Sequence, residues 1–112
     1  MKVIIAGGRD FIPEPKHKSW LYRVLSQIEA TTVICGMAKG ADTFGMKVAL
    51  ELGLTVLRFP ANWDLHGKSA GRIRNEEMAK VADACILFPG GKGTAHMKSI
   101  AEYYVLTVIE YQ

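Results

Sequence analysis

The chain has 112 residues, 49% of them hydrophobic and 22% charged, with 14 Lys and Arg set against 11 Asp and Glu. That length holds one domain with one core, and the composition excludes collagen-like, low-complexity and broadly disordered classes. A net charge of +3 is too small to announce a nucleic-acid partner by itself.

The longest apolar runs, such as Val3–Ala6 and Ala84–Phe88, are strand-sized. They fall far short of the roughly 20 residues that a membrane span needs. Met1-Lys2 leads straight into the first run with no leader pattern, so a cytoplasmic protein without membrane contact is expected.

Val3-Ile4-Ile5-Ala6 is a continuous apolar run stopped by Gly7-Gly8, as expected of a strand buried on both faces. From Lys16 to Ala30, residues Trp20, Leu21, Val24, Leu25 and Ile28 form one apolar stripe at helical spacing. Thr31–Cys35 is a second strand, broken by Gly36. Ala41–Leu52 is a second helix, and Gly53 stands where a C-terminal glycine belongs. Leu54–Phe59 is a third strand, and Pro60–Gly71 reads as one long irregular loop. Arg72–Val81 is a third helix and Asp83–Phe88 a fourth strand. Pro89–Thr94 is a glycine-rich turn, Ala95–Tyr103 a fourth helix and Val105–Ile109 a last strand.

The order βαβαβαβαβ predicts an α/β fold over residues 1–112 as a single domain. Its mostly parallel five-stranded sheet carries helices on both faces, a three-layer sandwich. Cys35 and Cys85 sit in or at the end of apolar runs and read as buried thiols, not as a disulfide framework. His17, His66 and His96 lack metal-ligand spacing, so no metal is expected.

In open α/β sheets ligands bind beyond the carboxyl ends of the strands. Three of the turns placed there are glycine-rich and carry a cation. They are Gly7-Gly8-Arg9-Asp10, Gly36-Met37-Ala38-Lys39-Gly40-Ala41-Asp42 and Pro89-Gly90-Gly91-Lys92-Gly93-Thr94. Glycine lets backbone approach a ligand closely, and a helix start favours an anion such as phosphate. Neither a Walker A motif nor an intact G-x-G-x-x-G is present.

The long loop adds Trp63, which either stacks on a base or covers the core edge. Arg72, Arg74 and Asn75 open the next helix. The two arginines are two apart, so one at most is expected to face a given ligand, the other lying on a solvated face. Asp42 either caps the second helix or accepts from ribose hydroxyls, and Asp10 has the same two readings. Thr94 either caps the fourth helix or donates to a phosphate. No nucleophile elbow or H-E-x-x-H is present. Acid–base candidates by position are Asp10, Asp42, Asp64, His66 and His96.

At these residues the chain resembles the YspA cpYpsA-related branch of the SLOG superfamily. The similarity runs through Ala6–Phe11, Cys35–Asp42, Phe59–Asp64, Gly71–Met78 and Gly91–Met97 in order. It implies a compact Rossmann-like fold that binds a nucleotide or nucleotide derivative, found in bacteria or phage and proposed to sense or process such ligands. The more distant LOG-type phosphoribohydrolases carry P-G-G-x-G-T followed by an acidic pair, and an Arg-Lys motif at an earlier helix start. Here Pro89-Gly90-Gly91-Lys92-Gly93-Thr94 matches the phosphate cradle, but Ala95, His96 and Met97 follow it, and Arg74-Asn75 stands where Arg-Lys would be. The cradle transfers; the glycosidase catalyst does not.

The leading expectation is therefore a nucleotide-binding sensor or sequestering module that forms homo-oligomers, with a nucleotide or nucleotide derivative as ligand and no cofactor assigned. The alternatives are a nucleotide hydrolase using Asp10 or Asp42, and a single-stranded nucleic-acid binder. The strand-end loops hold Arg9, Lys39, Lys68, Arg72, Arg74 and Lys92 against Asp10, Asp42 and Asp64, which accounts for the whole net charge of +3. A local excess of that size suits a phosphate better than a nucleic-acid track.

Overall fold

A computed structural model describes all residues 1–112. Five strands, β1 (Lys2–Ala6), β2 (Thr32–Cys35), β3 (Thr55–Arg58), β4 (Ala84–Leu87) and β5 (Thr107–Glu110), form one sheet in the order β3-β2-β1-β4-β5. Every pairing is parallel, from Val33 beside Val56 across to Ile86 beside Ile109. The chain winds outward from β1 to β3, returns, and winds outward again through β4 and β5. The direction therefore reverses between β1 and β4, as in a Rossmann-like sheet.

Each strand alternates its side chains between two apolar layers. Val3, Ile5, Val33, Ala84 and Ile86 face helices α1 (Pro15–Gln27) and α2 (Ala41–Glu51), through Leu21, Leu25, Phe44 and Val48. Ile4, Ala6, Ile34, Cys85 and Leu87 face α4 (Ala70–Val81) and α5 (Lys92–Tyr103), through Met78, Ala79, Met97 and Ala101. Because crossovers are right-handed, helices made before and after the reversal must lie on opposite faces. Cys35 and Cys85 are both free and buried. No helix is long and apolar enough to cross a membrane.

The α/β pattern is borne out, and the differences lie at element ends. Helix α1 stops at Gln27 rather than Ala30, because Glu29 turns to φ 53° and the Ala30 N–H closes back onto the Leu25 carbonyl at 3.0 Å. The stretch read as an irregular loop instead holds a short helix, α3 (Trp63–His66), and a 3-10 turn at Gly67–Ser69 that leads into α4. Asn62 starts α3, its Oδ1 accepting from the Leu65 N–H at 3.1 Å. Helix α5 begins three residues earlier than expected, at Lys92, with Gly91 as its N-cap. It ends in the same closing motif as α1, with Val105 at φ 59°, so β5 starts only at Thr107.

Candidate functional site

The three glycine-rich turns meet at Gly8. Its N–H donates to the Pro89 carbonyl at 2.8 Å, and its own carbonyl accepts from Phe11 at 3.3 Å and Ala41 at 3.2 Å. The loop after β1 is thereby joined to those after β2 and β4, across the point where the strand order reverses. Gly7 has no room for a side chain: a Cβ there would meet the Ala41 Cβ at 2.7 Å and the Phe88 Cβ at 2.9 Å. Phe88 in turn anchors the first loop from below, with Phe11 at 5.0 Å and Trp20 at 5.5 Å between ring centroids. His17 packs edge-on to Phe11, and its Nδ1 accepts the Glu14 N–H at 2.8 Å. Its role is to start α1.

Above this junction lies a cleft of about 1080 Å³, a size that admits a mononucleotide or larger ligand. Gly7, Gly8, Arg9 and Asp10 line one side, and Lys39 and Asp42 another. Trp63, Arg72, Arg74 and Asn75 come from the α3–α4 region, and Pro89, Gly90, Gly91, Gly93 and Thr94 complete the wall. Gly36 and Gly40 do not line it. Gly36 is clamped between the Asp42 carboxylate and the Arg74 side chain, and Gly40, at φ 71°, lies against the backbone of Gly8 and Arg9. Both arginines reach the cleft, against the sequence expectation of one at most, because Arg74 turns inward and is half-buried while Arg72 stays exposed. Asp64 and His66 lie off the cleft.

The starts of α2 and α5 differ electrostatically. At α2 the Ala41 amide is already spent on Gly8, and Asp42 places a carboxylate in the first turn. At α5 the first turn has no acidic residue, and Ala95 is the first to close the helical ladder, onto Gly91 at 3.0 Å. The N–H groups of Lys92, Gly93 and Thr94 thus have no partner four residues back. A second anion is repelled at α2 and attracted at α5. A Cβ built on Gly91 or Gly93 would meet nothing, so internal packing does not demand glycine at either position. Gly90 differs, since a Cβ there would strike the Thr94 hydroxyl.

The capping readings of Asp10, Asp42 and Thr94 are not what the structure shows. Asp10 is exposed and lies well before α1, whose cap is Glu14. Asp42 is the second residue of α2, after the Gly40 cap; it is buried and its Oδ2 accepts from the Ala38 N–H at 3.4 Å. Burial pushes its proton affinity up, while the Arg74 charge and the amides of Ala38 and Gly36 pull it down. Thr94 is the third residue of α5 and not its cap.

Arg74 works within a polar chain. Its Nη1 donates to the Gly36 carbonyl at 2.6 Å and its Nε to Asn75 Oδ1 at 3.3 Å, leaving Nη2 uncommitted. Asn75 is buried, and its Nδ2 lies 3.1 Å from His96 Nδ1. Burial, and then the Arg72 charge, hold the His96 imidazole below its usual proton affinity. Trp63 is 60% exposed over the cleft and belongs to neither core layer, which removes the core-cover reading.

Lys68 and Lys92, noted in the sequence only for their charge, also line the cleft, as do Phe11, Met37 and His96. His96 is the one of these that the sequence offers as an acid–base candidate, by its position two residues after Thr94. Its partner Asn75 lies 21 residues away on another helix. No three His, Cys, Asp or Glu residues are grouped to hold a metal ion.

Residues 1–66 match the family model described as YspA, cpYpsA-related SLOG family. The chain is also similar to "Gene 61 protein" of Mycobacterium phage D29, 36% identical over 87 residues that cover 70% of each protein. No solved structure matches it.

Proposed function

Because the chain belongs to the YspA, cpYpsA-related SLOG family, we propose that its cleft binds a nucleotide or nucleotide derivative as a sensor or sequestering module. A phosphate sits on the free amides that begin α5, with the Thr94 hydroxyl and Lys92 beside it. Asp42 accepts from the ribose hydroxyls, and Trp63 stacks on the base. Arg9, Lys39 and Arg72 supply the surrounding positive field. The observation that carries this reading is the open space at Gly91 and Gly93. Two glycines that internal packing does not require lie at the start of α5, whose first turn carries no acidic residue.

Binding without turnover fits the residues after the cradle, since Ala95, His96 and Met97 stand where an acidic pair would supply glycosidase chemistry. Calorimetric titration with AMP, ADP-ribose, NAD and cyclic nucleotides tests the reading. Binding of at least one below millimolar Kd supports it, and none across the panel removes it.

A second reading, hydrolysis of nucleoside monophosphates, is favoured by one observation. Asp42 is a buried cleft carboxylate with raised proton affinity, a common trait of catalytic acids. Chromatography of nucleoside monophosphates after incubation decides it. Release of base or phosphate that Asp42→Asn abolishes and Asp10→Asn spares would assign Asp42 that role.

A further inference from the structure

We propose that Arg74 and Asn75 lock His96 into the tautomer with its hydrogen on Nε2, so that His96 donates this N–H to an anionic oxygen of the bound ligand. The inference deepens the nucleotide reading by adding a residue for the ligand's phosphate.

The direction of each hydrogen bond follows from the first. Arginine only donates, so Asn75 must present its oxygen to Arg74 Nε at 3.3 Å. That orientation leaves the Asn75 amide nitrogen, also donor-only, facing His96 Nδ1 at 3.1 Å. Nδ1 must then accept, and a neutral imidazole that accepts at Nδ1 carries its hydrogen on Nε2. Asn75 has little freedom to turn over, being buried between α4 and α5.

The Nδ1 edge is occupied, so Nε2 is the edge left for the cleft that His96 lines. The charged groups that act on the ring are Arg72 and Glu76 on α4, while Lys92 stands one turn earlier on its own helix. Burial opposes protonation most, and Arg72 adds to it more than Glu76 offsets, which favours the neutral ring. A neutral ring with a fixed Nε2–H is neither base nor strong acid. It recognises an acceptor, and the nearest helix start favours a negatively charged one.

Two-bond proton–nitrogen correlation spectra of the ligand-free protein test the tautomer, with the His96 signals identified by their loss in His96→Gln. Hydrogen on Nε2 is expected, and Asn75→Asp, which can only accept, should move it to Nδ1. Hydrogen on Nδ1 in the unmodified protein overturns the proposal. Titration with inorganic phosphate should shift His96 Nε2 together with the amides of Gly91, Gly93 and Thr94. His96→Leu should weaken phosphate binding roughly tenfold, the worth of a hydrogen bond to a charged group, while His96→Gln, which keeps a donor, loses less. A His96 signal unmoved by phosphate overturns the proposal. The nucleotide reading fails separately, if phosphate binds through His96 but no nucleotide in the panel does.

Discussion

The carbonyl oxygen of Gly8 occupies the space that a Cβ at Gly40 would need, which locks the loops after β1 and β2 together. Gly40 also sits at φ 71°. Gly40→Ala therefore combines backbone strain with a clash against main chain, and we predict a loss of about 3 kcal/mol. Gly53 has nearly the same φ but nothing near its Cβ position, so Gly53→Ala should cost only about 1 kcal/mol. Urea unfolding of the two variants checks this. Equal losses would contradict the close approach.

Val105 closes α5 at φ 59°, a left-handed conformation that a β-branched residue adopts at a cost, and it is 88% exposed. Little packing is lost by removing its side chain. Val105→Gly should therefore stabilise the protein by about 0.5–1 kcal/mol despite the more flexible unfolded chain. A lower melting temperature for the variant would contradict that.

Burial of Asp42 should make stability depend on pH. Its folded proton affinity is raised by burial, so the unfolded chain ionises first as pH climbs. Its contribution to stability is fully present below the unfolded pKa of about 4 and is lost as pH rises through the folded value. Asp42→Asn should thus stabilise the protein at pH 7 by about 0.5–2 kcal/mol, with the advantage fading in acid. The same variant should weaken nucleotide binding. Melting curves from pH 3 to pH 7 that run parallel for the two proteins would contradict the assignment.

The thiols should be inert. Burial pushes Cys85 up to about 12 and raises Cys35 as well, and only thiolates react readily. A disulfide reagent at pH 8 should modify neither cysteine in the folded protein and both in denaturant. Fast modification of either in the native state would contradict the burial.

The strands and the two apolar faces were legible because hydrophobic period and glycine punctuation are local signals. Val3–Ala6 and Ala84–Leu87 announce themselves, and the turns after them line the cleft at that end of the sheet. Helix α3 is not legible because Asn62 and Gly67, its cap and its terminator, are equally at home in a loop. Asp42 looked like a cap by its place in the chain, yet Gly40 takes that role because no side chain fits against Gly8. The Asn75–His96 contact depends on how α4 and α5 pack, and nothing local in either segment encodes it.

Gly93 provides the most direct test of the proposed binding at the cleft. It is the second residue of α5, and a methyl group there meets no protein atom. Alanine should even favour the helix by about 0.5–1 kcal/mol. Calorimetric titration of the original protein and Gly93→Ala with AMP, ADP-ribose and NAD, alongside their melting temperatures, separates folding from recognition. The account predicts a variant at least as stable as the original whose nucleotide affinity falls tenfold or more, by about 1.4 kcal/mol. Equal affinity in the two proteins, or no nucleotide binding by either, would contradict a phosphate seated at the start of α5.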